Sequence, residues 1–217
     1  KEIGDDAPQF DKLRVFFNHP GFVGPVSANV AEALAEFPED RREKAALIFT
    51  AHSIPMSMAT GSLYESQLKE ACRLVGDELG RDDWSLVYQS RSGPPQQPWL
   101  EPDILDHIRD LHQQGITEMV IMPIGFVSDH MEVLFDLDTE AIELCSELGI
   151  NMRRAKTVGT AAPFVSMIRQ LIEERALGNE KLALGPHGPC HDVCPEKCCP
   201  SGRPAAGGRP PASRPAP

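Results

Sequence analysis

Pro123-Ile124-Gly125-Phe126-Val127-Ser128-Asp129-His130-Met131-Glu132 is followed by further acids at Asp136 and Glu140. Steps of four place Glu132, Asp136 and Glu140 on one face of a helix. Like charges at that spacing destabilise a helix. Such a row either faces water or handles cations or protons. Two more segments carry reactive side chains: His52-Ser53-Ile54-Pro55 and Gln89-Ser90-Arg91-Ser92-Gly93-Pro94. An imidazole at His52 facing a carboxylate at Glu132 can hold a divalent ion or pass protons near neutral pH. Taken alone, His52 reads as a hydrogen-bonded structural histidine. Arg91 either holds an anionic substrate group or closes a local salt bridge. His130 binds or stacks on a ligand, or caps its own helix. His19, His107 and His112 carry no such context, and the last two are spaced wrongly for a metal pair on one helix face.

Six cysteines are unevenly placed. Cys72 and Cys145 fall inside helical patterns and read as inert core residues. Cys190, Cys194, Cys198 and Cys199 crowd together, which points to metal more than to a disulfide framework when no secretory signal is visible. Thiolates bind zinc or iron–sulfur clusters. Adjacent Cys198 and Cys199 rarely both serve one metal, so three of the four are expected to ligate.

The reactive segments must be held by a scaffold. Residues 12–17, 45–51, 86–89, 119–124 and 152–157 read as strands, each bounded by turn residues. Between them, residues 27–37, 62–79, 103–113, about 130–148 and 163–176 show apolar residues at helical spacing. His19-Pro20-Gly21 reads as punctuation before the first helix. Strands alternating with helices predict an α/β fold: a doubly wound, Rossmann-like parallel sheet with helices on both faces. In such a sheet, loops at the carboxyl ends of strands share one edge and converge on a ligand. The loops containing His52, Arg91 and Glu132 all take that position. After residue 178 the composition turns to Gly, Pro, Cys and Arg. Residues 179–199 read as a cysteine-rich segment and 200–217 as a disordered tail.

The chain of 217 residues is long enough for one domain with a substantial core, and its 41% hydrophobic content is ordinary. A net charge of −11 argues against nucleic acid or anionic membrane as partner. No apolar run approaches the roughly 18 residues needed to span a bilayer, and no signal peptide is visible. A cytoplasmic protein without a transmembrane segment is expected.

Three stretches together resemble the ferrochelatase family, enzymes that insert ferrous iron into a porphyrin. They are Phe49-Thr50-Ala51-His52-Ser53-Ile54-Pro55-Met56, then Tyr88-Gln89-Ser90-Arg91-Ser92-Gly93-Pro94 with Pro98-Trp99-Leu100, then residues 123–140. The likeness runs from about residue 12 to 176. It implies that His52 and Glu132 bracket the centre of the macrocycle, holding iron, taking pyrrole protons, or both. Asp136 and Glu140 match an acidic ladder proposed to conduct metal or protons. Phe126, Ser128 and His130 match pocket walls, with Arg91 beside them.

The resemblance also implies an absence. Ferrochelatases have two similar chelatase-type lobes, and residues 1–178 match the carboxyl-terminal one, so an N-terminal lobe that supplies much of the porphyrin wall is expected to be missing. Neither Tyr64 nor Tyr88 stands where that lobe's axial tyrosine belongs. Members with a [2Fe–2S] cluster take one cysteine upstream of Lys1 and three from the tail. A cysteine tail without a membrane anchor is similar to the actinobacterial type, which metallates coproporphyrin III; protoporphyrin IX is the other candidate substrate. Two other readings fit fewer residues: a cobalt or nickel chelatase of the same fold, and a non-catalytic half-protein that binds metal or senses redox state.

Overall fold

The computed structural model describes residue 8, residues 10–195 and residue 198. Cys199 and the expected disordered tail, 200–217, lie outside the described residues. Four parallel strands form one sheet in the order β2-β1-β3-β4: β1 (Ala46–His52), β2 (Trp84–Gln89), β3 (Glu118–Met122) and β4 (Asn151–Arg154). The α/β, doubly wound reading therefore holds. Successive side chains on β1 and β3 serve opposite faces, as strand geometry requires. Leu47, Phe49, Val120 and Met122 enter one core, while Ile48, Met119 and Ile121 enter another. Both faces being covered, these strands are continuous apolar runs.

The first core packs beneath α1 (Pro20–Ala35), α4 (Tyr64–Leu79) and α8 (Ala162–Leu177). The second packs beneath α5 (Ile104–Gln113) and the segment between β3 and β4. Short helices α2 (Glu39–Arg42) and α3 (Met56–Ala59) join the longer elements. Strand order reverses between β1 and β3, which opens a crevice between their carboxyl ends. Gly125 allows that crevice to be tight. A Cβ there would stand 2.7 Å from Ala51 Cβ, and the Gly125 N–H donates to Thr50 O at 3.0 Å.

Three expectations need correction. Residues 12–17 form no strand; the segment is tied through Arg14, and through Asn18 just after it, to the far end of the chain. Arg14 pairs with Glu174 at 2.6 Å and donates to Leu182 O at 2.8 Å, while the Leu184 N–H donates to Asn18 O at 2.8 Å. Residues 179–190 thus pack back onto the domain.

His19-Pro20-Gly21 is the start of a helix, not a break. His19 Nδ1 accepts the Gly21 N–H at 2.9 Å, and Pro20 occupies the first helical position, where a missing N–H costs nothing. His19 therefore has a structural context that the sequence reading denied it.

The acidic helix is also not continuous. α6 (Met131–Phe135) passes into a π-helical turn (Asp136–Ala141) and then α7 (Ile142–Leu148). The wider turn keeps Leu137 and Ala141 fully buried while its acids reach partners on two strands, described below. Such turns occur often at functional sites. Among the described residues, no helix is long and apolar enough to cross a membrane.

Candidate functional site

His52 is the last residue of β1, and Glu132 lies in the first turn of α6, on the segment that follows β3. Their side chains meet across the crevice, with Nε2 3.2 Å from Oε1, and both are partly exposed. His52 Nδ1 contacts Ser53 O. A carbonyl only accepts, so Nδ1 carries a hydrogen, and Nε2 is the atom turned to Glu132. At that separation, Nε2 and the carboxylate either share a proton or turn two donor atoms toward one cation.

The surrounding bonds hold His52 in place. Tyr64, at the start of α4, donates its hydroxyl to His52 O at 3.0 Å. Burial pushes the Tyr64 hydroxyl up to about 12, so it stays a donor at neutral pH. Ser53 donates through Oγ to Leu100 O and through N to Gln89 O, each at 2.8 Å. The Leu100 N–H donates to Ile54 O at 3.0 Å, closing the loop after β1 onto residues 98–100.

Asp136 is held differently from Glu132. Its Oδ2 accepts Gln89 Nε2 at 3.1 Å and the Ser90 hydroxyl. Gln89 is buried, and its Oε1 accepts the hydroxyl of buried Thr50 at 2.8 Å. Ser90 adopts φ 61°, a left-handed conformation uncommon outside glycine. Backbone strain of this kind gathers at functional sites. Glu140 is exposed. The three acids expected in one row thus have three surroundings: one faces His52, one is bound to the end of β2, and one is in solvent.

The remaining predicted residues divide as follows. Phe126 is buried in the second core, and its ring meets the His130 ring edge-on at 5.2 Å. His130 sits at the N-cap of α6 but its side chain makes no capping bond. Ser128 is exposed. Arg91 donates to the carbonyls of Pro95 and Gln97 at 3.2 and 3.1 Å and lies 3.8 Å from Glu101. Of its two readings, local closure is the one the contacts favour.

Sequence reasoning missed Arg154. At the end of β4 it holds Asp129 at 2.9 Å and Asp138 at 2.5 Å, so one guanidinium clamps both ends of the segment that carries Glu132. An arginine inside a short strand has no sequence signal for that role. Also missed were Val127, Met131 and Phe135, exposed apolar side chains flanking Glu132. Their spacing reads as ordinary helix, and only their exposure shows an apolar patch beside the pair.

Cys72 and Cys145 are buried core residues, as expected. In the tail, Cys190 Sγ accepts a hydrogen bond from Gln67 Nε2 of α4 at 3.7 Å, and burial raises its thiol pKa. His191, Cys194 and Cys198 bring their ligand atoms within 4.8 Å of one another. A [2Fe–2S] cluster takes four cysteine thiolates. Among the described residues, that set does not gather; a histidine and two cysteines do.

Comparison with known proteins adds to this geometry. The ferrochelatase family model matches residues 1–176. The chain belongs to the ferrochelatase family. It is 56% identical over 216 residues to a protein of Rhodopirellula baltica named ferrochelatase, covering 97% of this chain and 61% of that protein. Coproporphyrin III ferrochelatases of Streptomyces griseus and Nocardia farcinica are 47% and 42% identical, with 60% and 63% of their lengths covered. The chain therefore spans about three fifths of the length of these ferrochelatases.

Proposed function

We propose that this chain carries the metal-insertion side of a chelatase that places ferrous iron into a porphyrin, with His52 and Glu132 as its catalytic pair. The facing of His52 Nε2 and Glu132 Oε1 at 3.2 Å carries the reading. Insertion exchanges one Fe2+ for the two inner N–H protons of the macrocycle, leaving the overall charge balanced. A base must therefore stand where the pyrrole protons emerge. His52 suits this task, since its Nδ1–H is committed to Ser53 O and Nε2 is the nitrogen left facing Glu132 and the crevice. Glu132 stabilises the imidazolium that forms and offers an oxygen to the arriving cation.

Partial exposure of both side chains leaves room for a flat ligand over them. Val127, Met131 and Phe135 provide apolar surface beside them. Asp136 and Glu140 continue the acidic path from the pair toward solvent, with Asp136 kept in place by Gln89 and Ser90. Ser128 and His130 form the wall on the β3 side, with Phe126 backing His130 from the core, and Arg91 shapes the loop after β2. Coproporphyrin III is the favoured substrate, because several relatives bear that name. The pocket is completed by a second lobe, corresponding to the further length of the relatives.

The test is to add ferrous iron and coproporphyrin III, or protoporphyrin IX, to the chain, alone and extended to the length of its relatives. Metallation is read from the Soret band. The extended form should metallate coproporphyrin III faster than protoporphyrin IX. Failure with both porphyrins would refute the function.

A further inference from the structure

We propose that Tyr64 is a positioning residue for the His52–Glu132 pair: its hydroxyl supplies the donor that the sheet no longer offers at His52 O, and so fixes the direction of the imidazole. The kinetic consequence rests on the chelatase reading; the structural part stands without it. The β1–β3 register ends with Phe49 opposite Met122, so β1 runs on past its partner. Main-chain groups of a strand point alternately to its two sides, which sends Thr50 O and His52 O the same way. Thr50 O still meets the Gly125 N–H at 3.0 Å. Two residues on, the donor at His52 O is the Tyr64 hydroxyl, also at 3.0 Å. A side chain thus completes the ladder where the backbone has turned away to open the crevice.

That bond reaches the imidazole through two peptide units. The unit joining His52 to Ser53 is held at its oxygen by Tyr64 and at its N–H by Gln89 O, the latter at 2.8 Å. The next unit carries Ser53 O, the atom that His52 Nδ1 contacts. Beyond it, Ile54 O accepts the Leu100 N–H at 3.0 Å. A peptide unit is planar and moves as one body. Without the Tyr64 bond the first unit can rotate, and Ser53 O swings away from Nδ1.

Tyr64 suits this task because it is itself held. It opens α4, a helix of 16 residues, and its ring packs against the cluster of Ala51, Ala59, Tyr88 and Leu100. Its N–H donates to Ser62 Oγ at 3.4 Å. A support locked by packing keeps a reactive side chain within about 0.5 Å of its working position. Tyr64 also borders a cavity beside Ile54, Met58 and Leu63, so the test must separate positioning from contact with substrate.

Tyr64→Phe keeps the ring and its packing and deletes only the hydroxyl. In the complete 217-residue chain with isotope-labelled histidine, the His52 Nδ1–H should give a slowly exchanging magnetic-resonance signal, assigned by its absence from His52→Ala. Tyr64→Phe should lose that signal to solvent exchange. Tyr88→Phe, which removes a hydroxyl from the same cluster, should keep it. In the chain extended to the length of its relatives, Tyr64→Phe should lower kcat for coproporphyrin III metallation about tenfold to a hundredfold, the scale of a misplacement near 1 Å. KM for the porphyrin should stay within about twofold of the parent, and Tyr88→Phe should match the parent in both constants. Circular dichroism of each variant checks that the fold persists. A persistent Nδ1–H signal in Tyr64→Phe, or a parental kcat, would overturn the proposal. So would a raised KM at unchanged kcat, which makes Tyr64 a contact of the substrate. Failure of the parent itself to metallate refutes the chelatase reading instead, and the exchange measurement still decides whether Tyr64 holds His52.

Discussion

His52 and Glu132 come from neighbouring strand ends on either side of the point where the sheet reverses its winding, and their side chains meet at 3.2 Å. Eighty residues separate them in sequence, so only the β1–β3 register brings them together. Gly125 and its bond to Thr50 O draw the segment after β3 against β1. Arg154 then sets the segment's direction by holding Asp129 and Asp138. The pair is thus built from rigid elements, which is how catalytic groups are held within the tolerance that chemistry demands.

Replacing Arg154 with methionine should loosen the segment without unfolding the domain. With the chain extended to the length of its relatives, we expect kcat for metallation to fall about tenfold to a hundredfold, the scale of a misplacement near 1 Å. Arg154→Lys should not restore it, because an ammonium lacks the fork that serves two carboxylates. Steady-state kinetics with a thermal melt for each variant makes the check. Full activity in either variant would remove Arg154 from this role.

Gln89 links Thr50 to Asp136 inside the protein, with Gln89 and Thr50 both buried. Gln89→Leu would leave the Thr50 hydroxyl without its acceptor and Asp136 without one donor. The expected cost is about 1–3 kcal/mol of stability, measured by urea denaturation. Ser90→Gly should separate two effects at the neighbouring position. It relieves a strained φ of 61° but removes the hydroxyl from Asp136, so metallation should slow while stability is nearly kept.

Acid should destabilise the domain in two steps. Burial, reinforced by Arg14, lowers the His19 pKa below 6.5, with Glu174 opposing. Protonation of Nδ1 would also break its bond to the Gly21 N–H. For Glu174, burial alone would raise the pKa. The hydrogen bond from Arg14, the Leu182 N–H and the Arg14 charge outweigh burial and lower it below 4.5. In both cases the unfolded chain binds more protons, so stability rises with pH. The His19 contribution is complete above 6.5 and is lost as pH falls through its lowered folded value. The Glu174 contribution is complete above 4.5 and is lost below it. Melting temperatures from pH 8 to 3 should show both falls. His19→Asn should remove the upper one, since asparagine can still cap α1. An unchanged upper fall in that variant would assign it to another group.

Much of this arrangement was legible in the sequence because strand ends in a parallel sheet announce themselves. The apolar runs before His52, Ser90 and Pro123 stop at turn residues, and their order predicts a shared edge. Residues 12–17 misled because Leu13, Val15, Phe16 and Phe17 look like a strand, whereas what places the segment is the Arg14–Glu174 pair, 160 residues apart. The row of acids misled for a different reason. Regular spacing of four implies an unbroken α-helix, and nothing local signals the π turn at Asp136–Ala141. That turn serves tertiary demands, burying Leu137 and Ala141 while Asp136 and Asp138 reach β2 and β4. His191 was passed over because cysteines drew the metal reading, although it stands beside Cys190 in the same short segment.

The most direct measurement is a double-mutant cycle on the pair, run with the chain extended to the length of its relatives. Initial rates of coproporphyrin III metallation would be taken for the parent, His52→Ala, Glu132→Gln and the double variant. Each single change should cost about 100-fold or more, and the double should be nearly as slow as either single, as for residues acting as one unit. All four should keep the fold by circular dichroism. Near-parental turnover in either single variant, or losses that simply multiply in the double, would contradict a joint role for His52 and Glu132.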